Sequence, residues 1–513
     1  MRERIIKILF LSLCALLVYI QTSGQTPVNI EFDRYTTKDG LSNGYITTIL
    51  QDSKGFVWIG TSNGLNRFDG ISFKNYYFDP KDTTSIPGCA INHLTEDANG
   101  NIWVITNNGL CVYDRKKDNF SRKHIIVNDI QLIGYYLNTS LIDSKGYLWV
   151  SAASMKVFRF KIYNNPEIET NVIYAESFTI EEEDVEDQYK NNVFGMAEDD
   201  QGKVWLTSYS NKLFYLDRTR NKFVSYPIPV AEANKLSNKR KGLFKDSSGD
   251  LFITIEDGGL LHFERKNNKF RLYQPTVPGA GPQGKVLFAL AEDLNGNIWI
   301  GDRNYEGITI FNKKTGKFSY CQSDKWDPYS LLTNKINCIY RDYVGNMWVG
   351  TIMGINKFSP GKTKFKRYYT NLSVPHKLGH NNVLCFAEGR DNVIWIGTDG
   401  GGLNKMDRKT DLFSYYAYEN GNANSLSSNA IISVCEDHKG TLWMGTFHGG
   451  LAKMENGKFS AYLPNASDPY AISSRNVWYV LEDSKQNLWA ATLSNGLDLL
   501  DRKTGRFYHY TFD

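Results

Sequence analysis

The chain has 513 residues, of which 14% are aromatic (31 Tyr, 28 Phe, 11 Trp), with 43 Gly and 14 Pro. That blend suits pleated strands and tight turns and excludes a helical bundle or coiled coil, and the length supplies several domains' worth of core without reliance on disulfides. Lys and Arg (59) nearly balance Asp and Glu (55), and much of the +4 excess sits in Arg2, Arg4 and Lys7, so no basic footprint for nucleic acid is present.

In chain order, basic residues precede an apolar run from Ile8 to Ile20, and Gln21-Thr22-Ser23-Gly24 follows. This pattern predicts a secretory signal peptide over residues 1–24, cleaved near Gly24. The run is short of the roughly 20 apolar residues of a spanning helix. Cys14 follows bulky Leu13, where a lipoprotein signal would place a small residue. The mature chain is expected to be periplasmic or secreted. Its other cysteines (Cys89, Cys111, Cys321, Cys338, Cys385, Cys435) show no C-x-x-C and no metal spacing, so buried thiols, no metal and no cofactor are expected.

The segment Phe32-Asp-Arg-Tyr35 reads as an outer strand that precedes any inner one, and so must complete a later sheet. A repeat follows. Its aromatic marker stands at Trp58, Trp103, Trp149, Trp205, Phe252, Trp299, Trp348, Trp395, Trp443 and Trp489, ten copies spaced by 45 to 56 residues. Six residues earlier lies Asp52, Asp97, Asp143, Asp199, Asp246, Asp293, Asp342, Asp437 or Asp483, usually with Gly three before the aromatic. Asp first and Gly last fit a type I turn. The eighth copy has Gly389 and Asn392 instead. After the aromatic come Gly-Leu pairs such as Gly64-Leu65 and Gly450-Leu451, where Gly supplies the positive φ of a hairpin, and then Phe-x-x-Tyr strands such as Phe73/Tyr76 and Phe459/Tyr462. Four short strands per copy predict an all-β chain, a β-propeller of four-stranded antiparallel blades. The repeated Trp is expected to pack between blades. Glu292-Asp-Leu-Asn-Gly-Asn297 lacks the acidic alternation of a calcium loop and reads as a turn.

Ten blades exceed one ring of four to eight. Seven copies fill residues 28–358, with Phe32–Tyr35 closing the seventh. After the connector Ser359–Lys364, Phe365-x-x-Tyr368 would open a second ring over 359–513 that holds three blades. Three blades cannot close, so either the chain is incomplete or the rings divide otherwise, for example five and five.

The unit Asp52-Ser-Lys-Gly-Phe-Val-Trp-Ile-Gly-Thr-Ser-Asn-Gly-Leu65, repeated as Asp437-His-Lys-Gly-Thr-Leu-Trp-Met-Gly-Thr446, resembles the two-component regulator propeller repeat, as do Asp39-Gly-Leu-Ser-Asn43 and Ser473-Ser-Arg-Asn476. The resemblance implies the periplasmic sensor half of a hybrid two-component histidine kinase controlling polysaccharide utilisation. In relatives a small β-sandwich, a membrane span, a kinase, a receiver and a DNA-binding domain follow, and none is seen in this sequence. The implied role is oligosaccharide or other small-ligand sensing, non-catalytic in this chain. The expected partners are the remainder of a sensor kinase or a second copy, and no nucleic acid.

Irregular residues on the loops of one propeller face are the candidate ligand contacts: Arg303 and Tyr305 in Asp302–Glu306, Trp326 in Lys325–Tyr329, and Arg475 and Trp478 in the last blade. Trp or Tyr beside Arg suits an anionic or neutral sugar. The acidic run Glu181–Asp187 reads as a solvated edge loop. The alternatives are a lyase- or sialidase-type propeller enzyme and a protein-interaction scaffold. Catalysis needs an unrepeated cluster of acid, base and charge clamp, and the eight scattered His, His380 and His448 included, form none in sequence.

Overall fold

The computed structural model describes residues 26–28, 30–128, 130–131, 136–152, 156–162, 171–182, 184–186, 190–229, 238–274, 281–361, 368–370 and 376–511. The predicted signal peptide and Phe365 lie outside them. The chain divides into two compact units at Thr363/Lys364.

The described residues form ten antiparallel sheets, eight of them four-stranded, and no α-helix. The first sheet sets the pattern with Ile46–Gln51, Val57–Thr61, Leu65–Phe68 and Phe73–Tyr76, paired in that order from inner to outer strand. Two sheets exceed the predicted four strands. Thr26–Pro27 adds parallel to Lys317–Cys321 of the sixth, and Asn119–Val127 of the second accepts Ile130–Gln131 and, in parallel, Val172–Tyr174. The latter excursion accounts for part of the widest repeat spacing, 56 residues between Trp149 and Trp205.

The turn before each second strand explains the repeat. Asp52 Oδ1 accepts the backbone N–H of Lys54 (2.9 Å) and Phe56 (3.0 Å), while Oδ2 accepts the Trp58 indole N–H at 2.8 Å. The same indole-to-carboxylate bond, 2.7–3.1 Å long, recurs at Trp103, Trp149, Trp205, Trp299, Trp348, Trp443 and Trp489. In the fifth copy, where Phe252 has no N–H, Ser248 Oγ donates to Asp246 instead. In the eighth, a Cβ on Gly389 would lie 2.6 Å from Trp395 Nε1, so the ring fills the space a side chain would need.

The carboxylate also faces the next sheet. Arg115 of the second sheet reaches back to Asp52 (2.9 Å), Arg218 to Asp143 (3.1 Å), Arg265 to Asp199 (2.7 Å), Lys313 to Asp246 (2.6 Å) and Arg502 to Asp437 (2.5 Å). A Glu on the inner strand of the later sheet accepts from the residue after the Asp: Ser53 N to Glu96 (2.7 Å), Ser144 N to Glu198 (2.6 Å), Ser247 N to Glu292 (2.8 Å) and His438 N to Glu482 (2.8 Å). Hydrogen bonds to charged groups contribute about 1.5–3 kcal/mol each.

Beneath this polar edge every repeat aromatic except Trp489 packs onto a neighbouring sheet. Trp58 clusters with Ile91, Ile102 and Val104, and Trp299 with Ile336 and Val349. Trp348 of the seventh sheet packs on Ile46, Ile59 and Phe68 of the first. A Cβ on Gly350 would lie 2.7 Å from Ile46 Cγ2, so the second strand must carry glycine there to approach so closely. At the same junction Asn337 Nδ2 donates to the Ile46 carbonyl (2.9 Å), and Gln51 Oε1 accepts from Tyr343 N (2.8 Å), as Glu96 accepts from Ser53. Asp33–Tyr35 pairs antiparallel with Ile355–Phe358 as the outer strand of the seventh sheet. Arg34 anchors it, donating to the carbonyls of Ser330 (2.7 Å), Asp327 (3.0 Å) and Leu331 (3.2 Å).

In the second unit the middle sheet buries its inner strand Ile431–Glu436 as the first unit's sheets do, whereas Val383–Gly389 exposes Leu384 and Phe386 and Val477–Glu482 exposes Trp478, Tyr479 and Leu481. Trp489 is partly exposed and meets Tyr510 of its own sheet, ring centroids 5.6 Å apart. Tyr368 donates to Asp411 (2.6 Å) as Tyr76 of the first sheet donates to Asp118 (2.6 Å) of the second, which is the position of a preceding outer strand.

Two expectations are corrected. The acidic run is not wholly solvated: Glu182 is buried, accepts from Asn191 N (2.5 Å) and from the Ser208 hydroxyl, and lies near the buried Lys241. Cys89 is exposed, unlike buried Cys111 and Cys321.

Because Trp299 is 2% exposed between two sheets, Trp299→Ala is expected to cost about 3–5 kcal/mol in chemical denaturation, and Trp489→Ala less than half as much. A loss at Trp299 below about 1 kcal/mol would contradict its packing role.

Acid should loosen the same turns. Asp483 is held at about 2 by the Trp489 indole and Asn487. Burial opposes ionisation of Asp246 and Asp437, but Lys313 and Ser248 at the first, and Trp443 and Arg502 at the second, hold both below the ordinary value. A carboxyl with a lowered native pKa stabilises the fold above its unfolded value of about 3.9, and this is lost as pH falls through the native value. Melting temperatures should be level from about pH 7 to 5 and drop progressively below about pH 4; a midpoint unchanged at pH 3 would contradict the assignment.

Candidate functional site

The inner strands of the first unit adjoin in chain order, and the seventh lies against the first. Residues from all seven enclose a cavity of about 760 Å³, within the roughly 300–1,000 Å³ range of small-molecule sites. Most Ile, Leu and Val positions of these strands pack between sheets, although Ile49, Leu243 and Ile339 reach the cavity. The residues opening each strand differ from copy to copy, and they form the wall together with strand residues such as Thr48, His93 and Cys338.

Tyr45 stands just before Ile46–Gln51, Tyr136 before Leu137–Ile142 and Arg240 before Lys241–Lys245, and all three line the cavity. Tyr45 and Tyr136 are 44% and 51% exposed, so their rings are open to a ligand. Asn92 donates to the Leu137 carbonyl (2.7 Å) and Asn337 to that of Ile46 (2.9 Å), tying neighbouring inner strands together across the wall. His93, half-buried in the wall, bonds the Ser140 hydroxyl at 2.9 Å, and burial pulls its pKa down to about 4, so it is neutral at ordinary pH.

Of the five residues singled out in the sequence, Arg303 belongs to this wall. It follows the second strand Asn297–Asp302 of the sixth sheet, and its guanidinium lies 4.1 Å from the Phe288 ring centroid. The adjoining carboxylate is otherwise engaged: Asp302 accepts the N–H groups of Val286 (2.9 Å), Asn304 (2.5 Å) and Glu306 (3.2 Å), which fixes the loop. Arg303 Nε is buried without a protein partner, and so are Thr47 Oγ1 and Asn337 Oδ1 of the same wall. Burial pulls the guanidinium below its ordinary pKa; Tyr45 and Cys338 oppose this and nearby Arg240 reinforces it. It remains a cation, as arginine does throughout the accessible pH range.

The other four residues fall elsewhere. Tyr305 is 56% exposed with φ +72° and has Lys335 5.2 Å above its ring, outside the cavity wall. Trp326 lies in a self-bonded loop, where Asp324 caps Trp326 N, Asp327 caps Tyr329 N and Ser330 closes back on Asp324. That loop repeats Asp79–Ser85, where Arg122 plays the clamping part of Arg34. Arg475 and Trp478 are exposed in the second unit, where the Arg475 carbonyl accepts from Gly450 N (2.8 Å). Sequence reasoning missed Tyr45, Tyr136 and Arg240. The available signal was their place immediately before each inner strand, the least regular position of the repeat.

Among the described residues no group of three or more His, Cys, Asp or Glu could hold a metal, and no helix is long and apolar enough to cross a membrane.

Comparison with known proteins accords with this architecture. The two-component regulator propeller family matches residues 40–63, 85–108, 330–353, 377–400 and 425–448. A stretch of 58 residues, 11% of this chain and 4% of the relative, is 48% identical to histidine kinase P4 of Formosa agariphila. Among solved structures, the extracellular domain assigned to the hybrid two-component system BT3049 of B. thetaiotaomicron aligns over 94% of this chain and 60% of its own, at TM-score 0.66 and 22% identity. That of BT4673 from the same organism aligns over 94% and 67%, at TM-score 0.51 and 20% identity. The chain thus spans less than two thirds of the BT3049 domain and a small part of the kinase. The structural likenesses establish a β-propeller fold, and five segments of the chain match the two-component regulator propeller repeat.

Proposed function

We propose that this chain is the ligand-sensing propeller region of a two-component sensor, periplasmic or secreted, that binds an oligosaccharide and is not itself catalytic. In this reading residues 1–24 are a signal peptide. Blades one to seven, residues 28–358, form one closed ring, and residues 359–513 contribute three blades to a second. The remainder of a sensor kinase, or a second copy of the chain, receives the signal.

The observation that carries the reading is the axial cavity, set in a scaffold of sensor-type repeats. Its wall combines two open tyrosine rings with Asn and Thr side chains, the mixture that stacks on a sugar's apolar face and bonds its hydroxyls. Trp348 packed on the first sheet and Asp33–Tyr35 paired with the seventh support one ring of seven. The bond from Tyr368 to Asp411 supports a second ring opened by the strand before it.

Calorimetric titration of the full chain against a panel of plant and host oligosaccharides should find saturable binding to one glycan class. Tyr45→Ala and Tyr136→Ala should each weaken it roughly tenfold, the effect of truncating a well-packed aromatic contact. Silence across the panel would overturn the saccharide reading and leave a protein-interaction scaffold.

A further inference from the structure

A wall of hydroxyl-binding groups does not by itself call for a buried cation. Arg303 has its Nε buried with no partner in the protein, and the neighbouring Asp302 spends its carboxylate on three backbone N–H groups rather than on the guanidinium. The face of the guanidinium is supported by Phe288 at 4.1 Å, which fixes its plane and leaves the N–H edge available. Arg240, whose Nε donates to Tyr209 OH at 3.3 Å, lines the same cavity. An isolated guanidinium in so enclosed a place is costly unless an anion completes it. The ion pairs around the repeat turns show the contrast, for Arg115, Arg218, Arg265 and Arg502 each meet a carboxylate. Thr47 Oγ1 and Asn337 Oδ1, also buried and unpartnered, add a donor-acceptor hydroxyl and an acceptor to the same wall.

Resting on the saccharide-sensing reading above, we propose that the axial cavity selects an acidic saccharide, with the guanidinium edge of Arg303 taking the sugar's carboxylate, Arg240 supplying a second positive charge, and Thr47 and Asn337 bonding adjacent hydroxyls. A planar carboxylate matches a guanidinium in a two-point pair, and the exposed rings of Tyr45 and Tyr136 leave room for the rest of an oligosaccharide to extend outward.

The test is calorimetric titration of the full chain with digalacturonate and diglucuronate, their methyl esters, and the corresponding neutral disaccharides, at low and high salt. One of the acids is expected to bind at least tenfold more tightly than its ester and its neutral counterpart, with affinity falling as salt rises. Arg303→Met should abolish the preference for the acid while the melting temperature stays near that of the parent, and Arg303→Lys should restore it in part. Arg240→Met, at a more exposed position, should weaken the acid by a smaller factor and serves as a second readout if Arg303→Met fails to fold. Arg475→Ala, in the other unit, should change nothing. Equal binding of acid and ester, or a preference unaltered by Arg303→Met or, where that variant does not fold, by Arg240→Met, would overturn the acidic-saccharide assignment while leaving saccharide sensing intact. Failure of every acid and neutral probe alike would overturn this assignment, and silence across the wider panel as well would take the sensing reading with it.

Discussion

The structure depends on a carboxylate that is asked to do three things at once. At eight of the ten repeat turns the Asp folds its own backbone with one oxygen and holds the indole of the second strand with the other. In five copies the Asp accepts a cation from the following sheet. Burying an ionised carboxylate is tolerable only when its lone pairs are filled. Here the donors come from three different places in the chain, so local turn, strand pairing and sheet-to-sheet contact become one cooperative structure. The unit that repeats is therefore the junction between sheets as much as the sheet itself. The eighth copy shows how far the arrangement bends: with glycine at the turn, Arg390 takes over, reaching the His438 carbonyl (2.7 Å) and Glu436 (3.2 Å) of the next sheet.

The part of this network that closes within a few residues was legible in the sequence. A bond from Trp58 to Asp52 spans six positions and leaves a fixed spacing that recurs in all copies but the eighth. The outer strand ahead of its sheet was legible too, because Phe32–Tyr35 carries the outer-strand pattern with nothing before it to pair with. The sheet-to-sheet latch left an equally periodic trace, the Glu-Asp pairs and the Arg or Lys that ends the third strand. Its partner, however, lies far back in the chain, 65 residues in the case of Arg502 and Asp437. Composition and spacing give no reason to join them.

The cavity was harder to see, for a physical reason. Repetition marks what every junction needs, and a ligand wall is made where the copies are free to differ. Arg303 stood out because its loop was irregular, whereas Trp326 stood out only because it is a large aromatic, and its loop is the same self-bonded turn as Asp79–Ser85 with an aromatic added. Glu182 was misread from the opposite side. A run of acids suggests a solvated loop, but Ser208, Asn191 and the ammonium of Lys241 give this one buried partners. Around the axis the result is a wall preset by tied inner strands, with three polar atoms left unpaired inside it. Such a wall loses little freedom when a ligand arrives.

The strand Asp33–Tyr35 also sets the order of events in a growing chain. Its partner Ile355–Phe358 is the last piece of the first unit to be made, and the bond from Arg34 to Asp327 spans 293 residues. Until then the first sheet has no neighbour for its open side, and Ile46 and Phe68, which Trp348 will cover, stay wet. A chain that emerges from its N-terminus must hold six sheets in waiting before the seventh lets them lock. Pairing across so long a stretch of chain is intrinsically slow, and an early strand left exposed in the meantime is open to mispairing. Holding the chain unfolded until residue 358 is available would suit this topology better than letting it fold as it appears.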